Sequence, residues 1–122
     1  MYSAQLIDHF EHPRNTGEVD DADARVRIEN PACGDILELS VRVWEGRIAD
    51  IRFRAKGCVP AMACGSLVTE LAMGKRVSEA RSTISKSAIE SGIGGVPEAS
   101  GHAVQLAVDA LQAVLEKATP HV

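Results

Sequence analysis

The chain has 122 residues, 45% of them hydrophobic, with a formal net charge of -4 and a pI near 5.5. Such a length predicts one domain, residues 1–122. The acidic balance argues against a nucleic-acid or membrane-surface role, and no apolar run approaches the roughly 20 residues of a spanning helix. The start lacks the basic and apolar regions of a signal peptide, so we expect a cytoplasmic location with reduced thiols. Three cysteines, an odd number, favour a local site over a disulfide framework.

The chain begins with a predicted short helix. Ser3 can cap it and Pro13 follows its end. Its apolar side is predicted to carry Leu6, Ile7 and Phe10. We expect His9 and His12 on or beside its solvent face and assign them no chemistry. A polar turn region follows, and the alternation over 25–29 then predicts an edge strand.

Two runs of period-two alternation, 35–43 and 47–57, predict a β-hairpin with its turn at 45–47. Placing the apolar residues of one run opposite those of the other fixes the register, because a slip of one residue would turn the apolar side chains of one strand toward water. The predicted pairs are Val41 with Ile51, Leu39 with Phe53, and Leu37 with Ala55. Asp35 then faces Gly57, with Cys33 and Cys58 just beyond. Two thiols and a carboxylate are therefore expected to converge at the open end of the hairpin.

Helices are predicted after the strands. Pro60 suits the first turn of a helix over 61–73, which Gly74 would end. Residues 77–89 read as helical in pieces, broken by the glycine-rich 91–95. The last helix is predicted from about Ser100 to Lys117, with one apolar face made of Val104, Ala107, Val108, Leu111, Val114 and Leu115. This order predicts an α+β fold in which helices cover one face of a small antiparallel sheet.

The chemistry of the predicted site depends on the cysteines. Cys33 and Asp35 are two residues apart, so on a strand their side chains leave the same face, and Gly34 between them would let a backbone or cofactor approach. Cys58 precedes a helix whose N-terminal field favours a thiolate. Cys64 lies on that helix's apolar stripe, which predicts a core residue, although a role as ligand or persulfide carrier stays open.

Several motifs occur in order along almost the whole chain. They are Tyr2-Ser3, Ile7-Asp8-His9-Phe10, His12-Pro13-Arg14-Asn15, Pro31-Ala32-Cys33-Gly34-Asp35, Gly57-Cys58, Ser66-Leu67-Val68-Thr69-Glu70, and the close from His102 through Leu106-Ala107 and Asp109-Ala110. In these motifs the chain resembles the IscU-type iron-sulfur cluster scaffolds, also called the NifU N-terminal domain family. The resemblance implies a three-stranded antiparallel sheet packed by about five helices. It also implies a scaffold or carrier, not an enzyme, which assembles a labile cluster, usually [2Fe-2S], and passes it on.

The resemblance extends to the site residue by residue. Cys33, Asp35 and Cys58 match three of the family's ligand positions, and His102 matches the histidine that precedes the family's third cysteine. Ala103 stands where that third cysteine would be. The resemblance therefore implies a [2Fe-2S] cluster, or a zinc or iron ion as alternative occupant, on Cys33, Asp35, Cys58 and His102, with Cys64 as a further candidate.

The implied partners are a cysteine desulfurase and recipient apo iron-sulfur proteins, and a homodimer is left open. The family's chaperone-recognition stretch reads Val96-Pro97-Glu98-Ala99-Ser100 here and lacks its lysine, which argues against hand-off to an Hsp70-type chaperone.

Two other functions remain open from the residues. Two cysteines, an aspartate and a histidine make a reasonable shell for zinc and a weak one for a [2Fe-2S] cluster, which would suit a zinc-holding regulatory relative that builds no cluster. Alternatively, Cys58 and Cys64 could work as a thiol or persulfide pair in sulfur transfer.

Overall fold

The computed structural model describes residues 2–119, and within that range three strands form one antiparallel sheet in the order β1-β2-β3, accompanied by five α-helices. The elements in chain order are α1 Ala4–Glu11, β1 Ala24–Glu29, β2 Ile36–Trp44, β3 Arg47–Lys56, α2 Val59–Ala72, α3 Val77–Thr83, α4 Lys86–Gly92, a 3₁₀ turn Glu98–Ser100, and α5 Gly101–Ala118. The predicted α+β fold, with a three-stranded sheet and about five helices, is confirmed. In this described part of the chain no helix combines the length and hydropathy needed to cross a membrane.

The hairpin of β2 and β3 has the predicted register. Val41 lies opposite Ile51, Leu39 opposite Phe53, and Leu37 opposite Ala55. The turn between the strands places Glu45 at φ 51° and Gly46 at φ 75°. Two successive residues with positive φ are typical of the tight turn whose twist matches that of the strands it joins.

A β-bulge corrects the prediction near the turn. Arg42 pairs with Asp50, but the next residue of β2, Val43, pairs with Ile48, so Ala49 is an extra residue in β3. The alternation that places Ile51, Phe53 and Ala55 in one apolar set also predicts Ala49 in that buried set. The bulge reverses the alternation at this point, so Ala49 is exposed and Ile48 is fully buried instead.

Helices α2 and α5 pack against the apolar face of the sheet and against each other, as the layer argument requires. The predicted apolar face of α5 is buried, except that Val108 is half-buried. The free edge of β3 is covered by two loops: the Phe53 amide donates to the Asn15 carbonyl at 2.9 Å and the Gly74 amide donates to the Ile48 carbonyl at 2.9 Å. These loops supply hydrogen-bond partners for some of the backbone amides and carbonyls that an open strand edge would leave unpaired.

The first helix turns a different face inward from the one predicted. Ser3 caps it as expected, accepting a hydrogen bond from the Leu6 amide. However, Ile7 and Phe10 are 41% and 37% exposed, whereas His9 is only 5% exposed. The prediction that His9 lies on the solvent face was wrong. The buried face of α1 includes this polar residue, and a prediction based on apolar periodicity assigns polar residues to the solvent side.

His9 is held by a buried polar contact between α1 and α2. Its Nδ1 lies 2.8 Å from Ser66 Oγ, which also accepts the Arg14 amide at 2.9 Å. Since Ser66 Oγ receives that amide proton, its own hydroxyl proton is free to bond the neutral imidazole. Burial, together with the charge of Arg14, lowers the pKa of His9 from its ordinary 6.5 despite the opposing effect of Glu70.

We therefore expect the free energy of unfolding to decrease as the pH falls below 6.5, because the unfolded chain then binds a proton that folded His9 resists. Replacing His9 by alanine should lower the free energy of unfolding at neutral pH by about 1–3 kcal/mol, since Ser66 loses a buried partner. Urea denaturation at a series of pH values would measure both effects. The exposed His12→Ala variant is the control, and a pH dependence that is identical in His9→Ala and wild type would contradict the assignment.

Candidate metal centre

Four side chains meet at the open end of the hairpin, each supplied by a different part of the fold. Asp35 directly precedes β2, Cys58 is the N-cap of α2, and His102 is the second residue of α5. Cys33 lies in the exposed connection between β1 and β2. The sequence predicted that the two cysteines and Asp35 converge, and the structure brings them and His102 together.

The two-residue spacing of Cys33 and Asp35 predicted that both lie on a strand. Cys33 instead reaches the site from a turn. The turn is closed by hydrogen bonds from the Gly34 amide to the Asn30 carbonyl at 2.7 Å and from the Asn30 amide to the Asp35 carbonyl at 2.8 Å. Gly34 has φ +76°, and a Cβ at this position would meet no heavy atom within 4 Å. The glycine thus serves the backbone conformation, and no other backbone approaches it closely; approach of a cofactor stays a prediction.

Asp35 is the centre of the cluster. Its Oδ1 accepts the Cys58 amide at 3.0 Å, and its Oδ2 accepts the Cys58 thiol at 3.0 Å. The same Oδ2 lies 3.2 Å from His102 Nε2, which in turn is 3.9 Å from the Cys58 Sγ. The carboxylate is buried, with 4% of the residue exposed, so these contacts replace its hydration.

Gly57 makes this arrangement sterically possible. It has φ +144°, and a Cβ at this position would lie 2.1 Å from Asp35 Oδ1. Because only glycine lacks that atom, the carboxylate can sit directly against the backbone and reach the next amide. The predicted apposition of Asp35 and Gly57 is therefore confirmed, and it is closer than strand pairing alone would make it.

The donor atoms have the spacing of a metal-binding group. One ligand atom each from Cys33, Asp35 and His102 all lie within 4.8 Å of one another. The Cys58 thiol borders this group through its contacts with Asp35 and His102. The N-terminal ends of α2 and α5 both face this region, and their partial positive charge favours anionic ligands and anionic cargo. The set of two sulfurs, one carboxylate and one imidazole suits zinc or iron.

The pKa values of Cys58 and Asp35 move in directions that the sequence did not predict. Burial raises the pKa of Cys58 to about 11, and the hydrogen bond to Asp35 adds to the increase. The prediction that the helix end makes Cys58 a ready thiolate is wrong, because burial and the Asp35 carboxylate outweigh the field of the helix end. For Asp35, burial alone would raise the pKa, but the hydrogen bonds from Cys58, Cys33 and His102 outweigh it and lower the pKa below the ordinary value.

Cys64 lies outside this group of donors. It is fully buried in the hydrophobic core, and burial raises the pKa of its thiol to about 12. This placement favours the core alternative over a role as ligand or persulfide carrier. Ala103, next to His102, is also buried, at 1% exposure, and offers no donor.

The three thiols should therefore react in a fixed order with iodoacetamide in metal-free protein near pH 8. Exposed Cys33 should react first, Cys58 slowly because only about one thiol in a thousand is ionised, and Cys64 only after unfolding. Peptide mass spectrometry over time would measure the three rates. Asp35→Asn should accelerate Cys58 without changing Cys64, whereas equal rates for Cys64 and Cys33 in folded protein would contradict the core placement.

The chain matches known sequences over most of its length. The profile of the NifU-like N-terminal domain family matches residues 1–119. An iron-sulfur cluster assembly scaffold protein, IscU 1, of Archaeoglobus fulgidus is 42% identical over 112 residues, which cover 92% of this chain and 72% of the relative. The scaffold protein IscU of Escherichia coli is 41% identical over 118 residues, covering 93% of this chain and 91% of the relative.

Solved structures share the fold. A structure described as an iron-sulfur cluster assembly scaffold protein for the SUF system, from Fervidobacterium islandicum, superposes with a TM-score of 0.77 at 19% identity, covering 93% of this chain and 96% of the other. A nitrogen-fixing NifU-like protein (N-terminal) from Brucella abortus superposes with a TM-score of 0.64 at 15% identity, covering 95% and 81%. At these identities the likeness shows the fold, while the profile match and the 41–42% identical relatives show the family. The chain belongs to the NifU-like N-terminal domain family.

Proposed function

We propose that this protein is a scaffold or carrier for an iron-sulfur cluster, and that the cluster is its cargo. The observation that carries the proposal is the meeting of Cys33, Asp35, Cys58 and His102 at one sheet end, in a chain whose relatives are named iron-sulfur cluster assembly scaffolds. The chain itself turns over no substrate, so iron, sulfur and electrons come from partners. A cytoplasmic location belongs to the same proposal.

The chemistry of the donors supports loose holding of a labile [2Fe-2S] cluster. Four thiolates bind such clusters most firmly, and this site replaces two of them by a carboxylate and an imidazole. The Cys58 proton must leave before its sulfur can bind a metal, and the raised pKa makes that removal costly. Both features weaken ligation, which suits a protein that has to release what it holds.

The site also supports a second candidate, a zinc-holding regulatory relative that assembles nothing. Two sulfurs, one imidazole nitrogen and one carboxylate oxygen complete a four-ligand shell of the kind that zinc favours. Ala103 leaves the site without the additional thiol that the family resemblance would place there. We rank this candidate second, because the profile match and the relatives' names both point to assembly.

The partners follow from the cargo chemistry. A cysteine desulfurase would supply sulfur and recipient apo-proteins would accept the cluster, and the exposed position of Cys33 leaves the site open to both. A sulfur-transfer function through Cys58 and Cys64 is less favoured, since Cys64 is fully buried.

Anaerobic native mass spectrometry tests the proposal directly. After incubation with ferrous iron, cysteine and a cysteine desulfurase, we expect a mass gain of two irons and two sulfides. The gain should be lost in Cys33→Ala and Cys58→Ala, because each removes a sulfur donor, and kept in Cys64→Ala, the core control. Tightly held zinc with no gain would overturn assembly in favour of the zinc-holding candidate, and loss of the gain in a folded Cys64→Ala variant would make Cys64 a ligand.

A second test adds the missing thiol. We expect Ala103→Cys to lengthen the lifetime of the reconstituted cluster, followed by its visible absorbance after a chelator is added, because a third thiolate binds more firmly than oxygen or nitrogen. Ala107→Cys, a buried position one turn further along α5, is the matched control and should leave the lifetime unchanged. Circular dichroism would check that neither overpacked core unfolds. An equal lifetime for folded Ala103→Cys and wild type would show that position 103 does not reach the cargo.

A further inference from the structure

The hairpin turn carries an exposed aromatic and basic surface far from the metal centre. Trp44 is 70% exposed, the most exposed of the large hydrophobic side chains within residues 2–119. Arg42 precedes Trp44 by two residues on β2, and Arg47 pairs with Trp44. Lys75 and Arg76 follow α2 and are joined to β3 through backbone contacts with Ile48 and Arg47. We name Trp44 and these four basic residues the turn patch. The 10 residues of β3 separate this end of the sheet from the metal centre, a span of about 30 Å.

Three members of the turn patch form one row across neighbouring backbones. Trp44 pairs with Arg47 in the hairpin, and Arg47 forms an isolated antiparallel bridge with Arg76. Residues directly opposite each other share a face of a sheet. The preceding pair, Val43 with Ile48, has Ile48 fully buried against the helices, so the row faces the other side, toward solvent.

The row itself holds two positive charges and no carboxylate. The carboxylates at this end of the sheet lie beside the row: Asp23 accepts the Val43 amide at 2.7 Å, Asp50 lies opposite Arg42, and Glu45 follows Trp44. Like charges directly opposite each other destabilise a sheet, and here two guanidinium groups face across the bridge. Across the described range 2–119, none of Arg42, Arg47, Lys75 and Arg76 lies within 4.0 Å of a carboxylate oxygen, whereas four other arginines do: Arg14, Arg25, Arg27 and Arg52. The chain has 17 acidic residues against 13 basic ones, so four cations grouped at one end of the sheet run against its overall balance.

A cleft of about 330 Å³ lies beside Trp44. The exposed bulge residue Ala49 and the half-buried Met73 line it together with Trp44, Ile48 and Gly74, while Arg47 and Glu45 supply its charged groups. Its volume suits an apolar side chain, and the indole adds a large rigid contact surface. The bulge creates this opening, because it turns Ala49 outward where the alternation would have buried it.

We infer that the turn patch docks a partner protein through an acidic segment that carries an apolar side chain. Carboxylates would pair with the opposed arginines, and the apolar side chain would enter the cleft beside Trp44. Tryptophan and arginine are the residues that most often dominate the binding energy of protein interfaces. The net charge of -4 and the carboxylate of Glu45 disfavour a long polyanion such as nucleic acid, or an anionic membrane. The inference does not rest on cluster assembly.

The position of the turn patch gives such a partner a particular use. A protein held at the turn leaves the open end of the hairpin free, so a second protein can reach the metal centre at the same time. Docking at the turn patch would therefore bring this chain to an assembly without covering its cargo.

A binding experiment on the metal-free protein tests the inference. The probe is a short fluorescein-labelled peptide of glutamate and aspartate with one leucine and one phenylalanine. Fluorescence anisotropy should show binding that weakens with salt, and the emission of Trp44, the single tryptophan of the chain, should shift to the blue. Trp44→Ala and the double variant Arg47→Glu with Arg76→Glu should each weaken binding by about tenfold or more, because each removes a central anchor.

Lys86→Glu is the matched control: it reverses an exposed charge on α4, away from the turn patch, and should leave binding unchanged. Circular dichroism of each variant verifies folding, which the exposure of Trp44, Arg47 and Arg76 favours. Undetectable peptide binding, or binding that Lys86→Glu weakens as much as the double variant, would overturn the inference. So would tighter binding of a single-stranded oligonucleotide or of phosphatidylserine vesicles at the same site, or self-association through Trp44 in sedimentation. Failure here leaves the cluster proposal untouched, since no metal is present.

Discussion

The contact of the Asp35 carboxylate with the start of α2 is the constraint on which the metal centre depends. One oxygen accepts the Cys58 amide and the other accepts the Cys58 thiol, each at 3.0 Å. The carboxylate thereby joins the end of the sheet to the N-cap of a helix and holds two donors at a fixed separation. It requires glycine at position 57, because any Cβ there would collide with the carboxylate. The chemistry of the site and the connection of strand to helix are therefore one structural feature.

This constraint also accounts for the chemical character of the centre. A buried carboxylate keeps its charge by accepting hydrogen bonds from its neighbours, which lower its pKa, and the Cys58 thiol keeps its proton, which raises the pKa of Cys58 to about 11. Binding of a metal through the Cys58 sulfur would require loss of that proton, and Asp35 would then exchange its bond with the thiol for one with the metal.

The two ends of the hairpin have different surroundings because different loops connect to the strands at each end. At the open end β3 leads into the N-terminus of α2, the turn before β2 carries Cys33, and the N-terminus of α5 brings His102 to the same place, so polar donors converge there. At the turn, a bulge reverses the alternation of β3 and directs apolar and basic side chains outward, with Ala49 exposed and Trp44 beside it. Helices α2 and α5 cover one face of the sheet. The loops therefore distinguish the two ends. A short turn with positive φ at Glu45 and Gly46 closes one end, and the connections that contain Gly34 and Gly57 form the other.

The alternation of β2 and β3 by itself determined their register from the open end as far as Arg42 and Asp50, and with it the meeting of Asp35 and Gly57, because a sheet buried on one face tolerates no slip. The bulge at Ala49 did not follow from it. The helix order and the apolar face of α5 followed from periodicity in the same way. Only the tertiary structure decided that His9 is buried, since its partner Ser66 lies 57 positions away. The same holds for the raised pKa of Cys58, where burial and a neighbouring carboxylate outweigh the helix end. Local pattern specifies which residues face inward along an element; which polar groups meet, and in which protonation state, depends on contacts between elements that no local pattern contains.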